Sequence, residues 1–355
     1  MPQSEFNVWS KWDPLKKVVI GTCVSPQYFE HVANLEIREK LQQIVIETQQ
    51  DLDNLAEVCT NLGIQTYRVD ATQQGFAKPL DPGKKAKGIQ SMLYPRDQLA
   101  VIGNHLISAD KYIMFNNLYP QFITQDILQR STPWYELHHK HKIAVIVPPS
   151  WTLVGKDLFI DTGMESGDLT YTNQTIRESV ENWLAKWWPE ITLHWVNIGG
   201  HNDSCFHTLK PGVLLSLHDV MAYEDTFPNW DICYLPDASY KTIPEFIDAK
   251  DMTDGKFWIP GEEKNVGLLN YINEWLDNWV GFVEETVFDV NCLVVDESTV
   301  LVNNYNKQVF DFLKKHKMEP IICPMRHRYF FDGGIHCVSL DLYREGSCES
   351  YIDYK

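Results

Sequence analysis

Near its C-terminus the chain reads Gly333-Gly334-Ile335-His336-Cys337-Val338-Ser339-Leu340. The glycine pair delivers one cysteine to the start of an alternating run expected to be a strand. Such a position holds a nucleophile rigidly, and glycines let backbone or substrate approach closely. Far upstream, Gly199-Gly200-His201-Asn202-Asp203 sets a histidine and an aspartate two residues apart, on one side of the segment if it is extended. A thiolate is a competent nucleophile at neutral pH once its proton is lost or passed on, and histidine is the natural group to take or return that proton. Cys337 and His201 are therefore candidate catalytic residues if the fold brings them together. Each has a plainer reading. A cysteine in an apolar strand is usually core, and a Gly-Gly-His-x-Asp stretch is usually a loop. His336 would face away from Cys337 in an extended segment and is on that ground a poor base candidate.

The elements that must position these residues recur along the chain. Two short apolar strands around a tight polar turn are expected at 99–107 (turn Gly103-Asn104), 152–160 (Gly155-Lys156-Asp157), 205–216 (Lys210-Pro211-Gly212) and 292–302 (Asp296-Glu297-Ser298). Several continue into a helical pattern and another strand: 175–188 then 191–196, and 306–316 then 319–322. The N-terminus shows a strand at 17–21, a long amphipathic helix at 35–62 and a strand at 65–69. A repeated strand–strand–helix–strand unit points to an α/β fold, with a closed ring of modules as one solution and a plain α/β sandwich as the other.

Composition narrows the classes of function. The chain has 355 residues, 44% of them hydrophobic, with 12 Trp, enough to bury a large core. A net charge of -17 disfavours nonspecific binding to nucleic acid or to an anionic membrane. No run of about 18 apolar residues marks a membrane span. The opening Met1-Pro2-Gln3-Ser4-Glu5 is polar, so no signal peptide is expected. The eight cysteines are scattered without CxxC pairs, and a reducing cytoplasm is the simplest compartment. His138, His139 and His141 have no HExxH or cysteine partner pattern, so no metal site is expected there, and no cofactor motif is present. Trp183, Trp187, Trp188 and Trp195 are expected to pack the core. Arg326, His327 and Arg328 are expected to be solvent-exposed, though a substrate carboxylate could meet them.

These motifs, in their order, resemble the guanidino-group-modifying superfamily and, within it, the arginine:glycine amidinotransferase branch. The resemblance begins at Trp12-Asp13-Pro14-Leu15-Lys16-Lys17-Val18-Val19-Ile20-Gly21 and runs through Tyr94-Pro95-Arg96-Asp97, His201-Asn202-Asp203 and Lys210-Pro211-Gly212-Val213 to Gly333-Gly334-Ile335-His336-Cys337. It implies a single catalytic domain over 1–355: a five-module, pseudo-symmetric α/β propeller of ββαβ repeats with the active site on the axis. It implies amidino transfer from an arginine-like donor to an amine through an amidino-cysteine intermediate on Cys337, with His201 as acid and base. Asp97 and Asp203 would clamp the planar cation by paired, charge-assisted hydrogen bonds. Arg96, beside Asp97, and Glu285, where the transferases carry a substrate-contacting serine, complete the implied substrate set. No metal or cofactor is implied, the partners are small molecules, and a homodimer is expected by analogy. Water in place of the amine would make a hydrolase or deiminase. A guanidino-binding protein with lost activity is the non-enzymatic alternative.

The chain also departs from the pattern. The third module of these enzymes contributes an acid that pairs with the histidine. Here 145–151 reads Val-Ile-Val-Pro-Pro-Ser-Trp, without a carboxylate. Asp157, Asp161, Glu165 and Asp168 are the nearby acids that could substitute. The arginine expected to hold a donor carboxylate falls at Val220, which argues for a different donor or acceptor.

Overall fold

The computed structural model describes residues 5–69, 90–108, 148–162, 174–198, 201–217, 223–235, 259, 261–275, 289–331 and 333–353. Among the described residues, fourteen strands and the helices between them form a mixed α/β fold. The first helix shows why these segments fold as they do. In α1 (Leu35–Asn61), Ile37, Leu41, Ile44, Val45, Leu52, Leu55 and Cys59 recur at helical spacing and are all buried. Asn34 caps its start by accepting from the Ile37 amide, 3.3 Å. Its end is a left-handed glycine closure: Gly63 has φ 80°, Ile64 N–H donates to Cys59 O at 3.0 Å, and Gly63 N–H to Thr60 O at 2.9 Å. The strand at Gln65–Arg68 can then run back beside the strand that precedes the helix.

The strands are β1 (Leu15–Ile20), β2 (Gln65–Arg68), β3 (Leu99–Ile102), β4 (His105–Ser108), β5 (Trp151–Val154), β6 (Asp157–Asp161), β7 (Thr192–Val196), β8 (Phe206–Lys210), β9 (Val213–Ser216), β10 (Asp231–Tyr234), β11 (Leu293–Asp296), β12 (Thr299–Val302), β13 (Glu319–Ile322) and β14 (Ser339–Arg344). They form five small sheets. In β5-β6-β7, β8-β9-β10 and β11-β12-β13, an antiparallel hairpin is followed by a parallel third strand. Helices α3 (Gln174–Trp187) and α5 (Lys307–Lys315) make the crossovers of the first and third of these. The sheet β14-β1-β2 has the same pattern, but its hairpin partner comes from the other end of the chain: β14 pairs antiparallel with β1, and β1 pairs parallel with β2. The last strand thus completes the first unit. The sheet β3-β4 is a hairpin among the described residues.

Apolar side chains from all five sheets and α1 share one buried core. A second core joins Trp151, Leu158 and Ile160 to Val180, Trp183 and Trp188 on and after α3. Of the four tryptophans expected to be interior, Trp183 and Trp188 are buried. Trp187 is 36% exposed, and the Trp195 indole donates to Glu181 near the surface. Among the described residues no helix is long and apolar enough to cross a membrane.

The segments entering the first strand of each sheet carry most of the residues of chemical interest. Two short helices, α2 (Pro95–Gln98) before β3 and α4 (Asn202–Cys205) before β8, hold Arg96, Asp97 and Asp203. Asn291 precedes β11, and a turn at 335–338 holding His336 and Cys337 precedes β14.

Candidate active site

Two asparagines build the turn that presents Cys337. Asn291 Oδ1 accepts from the amides of His336 (2.9 Å) and Cys337 (3.2 Å), and Asn303 Oδ1 accepts from the amide of Ile335 (2.9 Å). Asn303 Nδ2 in turn donates to Asn291 O at 2.7 Å. Arg96 secures the turn from another side, donating through Nε to His336 O and Ser339 O, both at 3.0 Å, and through Nη2 to Asp341 at 2.9 Å. Arg96 was expected to contact substrate; these bonds commit much of its guanidinium to the protein itself.

The glycine pair is explained by close approach. A Cβ on Gly333 would lie 2.4 Å from the Tyr94 ring. On Gly334 it would lie 2.6 Å from Asn291 Oδ1 and 2.9 Å from Asn303 Nδ2, the two amides that hold the turn. Gly334→Ala is therefore expected to lower stability by about 1–3 kcal/mol in chemical denaturation. It should also displace Cys337, so that the alkylation rate of that thiol changes well beyond any change at the other cysteines.

Cys337 Sγ is buried, 6% exposed at the residue level, and has two polar neighbours. Asn291 Nδ2 donates to it at 3.0 Å, and the thiol donates to Asp203 Oδ2 at 3.8 Å. The same Asp203 oxygen bonds His336 Nδ1 at 2.7 Å, while Asp203 Oδ1 is buried and has no hydrogen-bond partner among the described residues. Burial pushes the Cys337 thiol well above its ordinary pKa, and the charges of Asp203 and Asp97 push it further up. Burial also pushes Asp97 up to about 6; His201 and Arg96 pull against this and Asp203 adds to it.

The structure therefore brings Cys337 and Asp203 into contact and puts Asp97 within electrostatic range of both. His201 stands immediately before α4 and acts electrostatically on Asp97, but no hydrogen bond joins its ring to Cys337 among the described residues. Glu285, Val220, Glu165, Asp168 and the 138–141 histidines lie outside the described residues. Asp161 accepts from the Ile198 amide at 2.8 Å, three residues before His201, and Asp157 pairs with His194 at 2.8 Å.

Two expectations are corrected. Cys337 does not open a strand: it sits in a turn, with Val338 N–H donating to Gly334 O at 3.1 Å, and β14 starts at Ser339. Because residues 335–338 turn instead of alternating, His336 does not face away. Its ring reaches the same carboxylate oxygen as Cys337. Arg326 is exposed as expected, and its guanidinium also bonds Asp51, Gln50 and the Glu47 carbonyl on α1. The asparagines Asn291 and Asn303 carried no signal as isolated residues.

Comparison with known proteins agrees with the resemblance read from the motifs. No protein-family model matches the chain. The inosamine-phosphate amidinotransferase 1 of Streptomyces glaucescens is 21% identical, with 98% of this chain and 99% of that protein covered. The mitochondrial glycine amidinotransferase of Gallus gallus is also 21% identical, over 97% of this chain and 84% of that protein. Among solved structures, the inosamine-phosphate amidinotransferase of Streptomyces griseus superposes with a TM-score of 0.60 at 18% identity, covering 99% of this chain and 100% of that one. The resemblance to the guanidino-group-modifying superfamily thus runs end to end, and the relatives that carry it are amidinotransferases.

Proposed function

We propose that the protein is an amidinotransferase using Cys337 as nucleophile. The observation that carries this is the meeting, in one buried site, of the Cys337 thiol and the Asp203 carboxylate, with Asp97 in electrostatic range, in a chain similar over its length to several amidinotransferases. In this reading the whole chain is one catalytic domain, its five sheets closing as a ring of modules around the site. Eight free cysteines suit a reducing compartment such as the cytoplasm.

A guanidinium carbon is a poor electrophile because three nitrogens share its charge. Asp203 Oδ1 and Asp97 would accept its N–H groups and hold it over Cys337. The Cys337 S–H proton leaves through Asp203 Oδ2, to which the thiol donates, as sulfur attacks the central carbon, giving a tetrahedral adduct. His201 donates a proton to the departing amine as the C–N bond breaks, which leaves an amidino-thioether cation on Cys337. An incoming amine then loses a proton to His201 and attacks the same carbon, and the C–S bond breaks. Arg96 serves as a positioning residue for the turn, and Glu285 remains a proposed substrate contact.

Intact-mass measurement after exposure to candidate guanidines tests the reading. A mass gain of one amidino group on Cys337, released by an amine acceptor, supports the transferase. Steady release of a ureido product without acceptor would make it a hydrolase, and saturable binding with no adduct would make it a binding protein.

The pH dependence should follow Asp97. With its pKa raised by burial to about 6, its charge is lost as pH falls through about 6. The kcat/KM for a cationic donor is expected to drop about tenfold per unit below that point. Asp97→Asn should remove this limb from the pH–rate profile. The folded state also holds this proton more tightly than the unfolded chain, so the group's contribution to stability falls as pH rises from about 3.8 to about 6. The Asn variant should lack that slope.

A further inference from the structure

Behind Asp203 the buried polar chain continues. Lys11 Nζ lies 3.0 Å from His336 Nε2, and His336 Nδ1 lies 2.7 Å from Asp203 Oδ2, the oxygen to which the Cys337 thiol donates. The chain therefore runs Sγ, Oδ2, Nδ1, Nε2, Nζ without a gap. We propose that Cys337, Asp203, His336 and Lys11 form one proton-sharing unit in which the half-buried Lys11, at its far end, receives the proton that the thiol gives up.

The transfer balances. With Lys11 neutral, His336 donates its Nε2–H to the Lys11 Nζ lone pair. The S–H bond of Cys337 breaks as an Oδ2–H bond forms on Asp203. That bond breaks as Nδ1–H forms on His336, and Nε2–H breaks as a third N–H forms on Nζ. The products are a thiolate, an Asp203 carboxylate accepting from Nδ1–H, a neutral imidazole and an ammonium donating to Nε2. The net charge is unchanged, and both oxygens of Asp203 are again acceptors, Oδ1 still free for a cation.

The surroundings suit this role. Burial lowers Lys11 to about 7, helped by Arg96 and Arg344 and opposed by Asp341 and Asp203, so its neutral form is accessible near neutrality. Burial, Arg96 and Lys11 hold His336 well below its ordinary value, so its imidazole stays neutral and exchanges tautomers instead of charge. The other groups facing Lys11 are fixed or uncharged there. Asp341 is locked as a carboxylate between Arg96 and Arg344, both at 2.8–2.9 Å, and burial keeps His207 neutral. Lys11 touches no reacting atom; it acts through His336.

The inference deepens the reading of Cys337 as nucleophile, so its test avoids turnover. The rate of Cys337 carbamidomethylation by iodoacetamide is measured by peptide mass between about pH 6.5 and 9. A thiol titrating alone gives a log rate rising with unit slope. A thiol whose proton can pass to Lys11 gives a profile that flattens over roughly one pH unit above about 7, where Lys11 first becomes neutral. The flattening is expected in the native protein. It is expected to vanish in Lys11→Met, where the rate near neutrality should fall about tenfold. It should also vanish in Lys11→Arg, which keeps a cation but cannot accept a proton, and in His336→Asn, which cuts the chain. Melting curves show which variants are folded, and any one folded variant decides the matter. A native profile of plain unit slope, or flattening retained in a folded variant, overturns the inference. If Cys337→Ala instead keeps full turnover, the nucleophile assignment fails, whatever the alkylation profile shows.

Discussion

Cys337→Ala and Cys337→Ser are both expected to lower amidino transfer by roughly 10⁴-fold or more and to abolish the covalent adduct seen by intact mass. The serine variant is the more telling. In many sites an oxygen nucleophile keeps some function, because a neighbouring base can raise its reactivity. Here the environment opposes ionisation: burial and the charges of Asp203 and Asp97 already push even a thiol well above its ordinary range. A hydroxyl, far less acidic to begin with, would stay protonated, so serine should be no better than alanine. The same electrostatics make the resting cysteine poorly reactive until a cation arrives. A guanidinium seated against Asp203 and Asp97 would offset the charges that suppress the thiolate. The nucleophile would then ionise far more readily with its substrate in place. An active Cys337→Ala variant would sink the mechanism.

What the sequence made legible were local devices with unambiguous chemistry. The four hairpins around 103, 155, 211 and 297 appear where turn residues and short apolar runs put them. Helix α1 ends one residue before the expected limit, at a glycine whose left-handed φ is its reason for being there. The glycine pair before Cys337 was legible as a place of close approach, but not what approaches: the Tyr94 ring and two asparagine side chains. Orientation inside 335–338 was misread because alternation holds only for extended backbone, and nothing in Ile335-His336-Cys337 announces a turn. Asn291 was missed for another reason. A single asparagine between Val290 and Cys292 has no spacing partner. A positional signal did exist, because Asn291 stands two residues before β11, as Asp97 does before β3 and Cys337 before β14. Aligning the repeats on their first strands would have drawn attention to it. The contact of His336 with Lys11 joins residues 325 apart, and no local pattern could reveal it.

Asp203→Asn should push two measurements in opposite directions. While Lys11 is an ammonium donating to Nε2, Asp203 Oδ2 receives both the His336 Nδ1–H and the thiol, so an asparagine there must keep its carbonyl oxygen in that place to avoid setting donor against donor. Its NH2 group then replaces Oδ1, the buried oxygen that has no hydrogen-bond partner among the described residues. A free acceptor suited to a guanidinium N–H becomes a donor aimed at a cation that offers only donors. Losing one charge-assisted hydrogen bond and gaining that mismatch costs about 2–4 kcal/mol, which is roughly 30- to 1000-fold in donor binding. At the same time one of the two negative charges that raise the Cys337 pKa is gone. Alkylation of that thiol by neutral iodoacetamide near neutral pH should therefore become faster, by about tenfold for each unit its pKa falls. A variant that merely unfolds the site would expose every cysteine alike and give no selective gain at Cys337. If donor affinity and Cys337 alkylation both stay at native levels, Asp203 neither holds the cation nor restrains the thiol, and the clamp must be sought elsewhere.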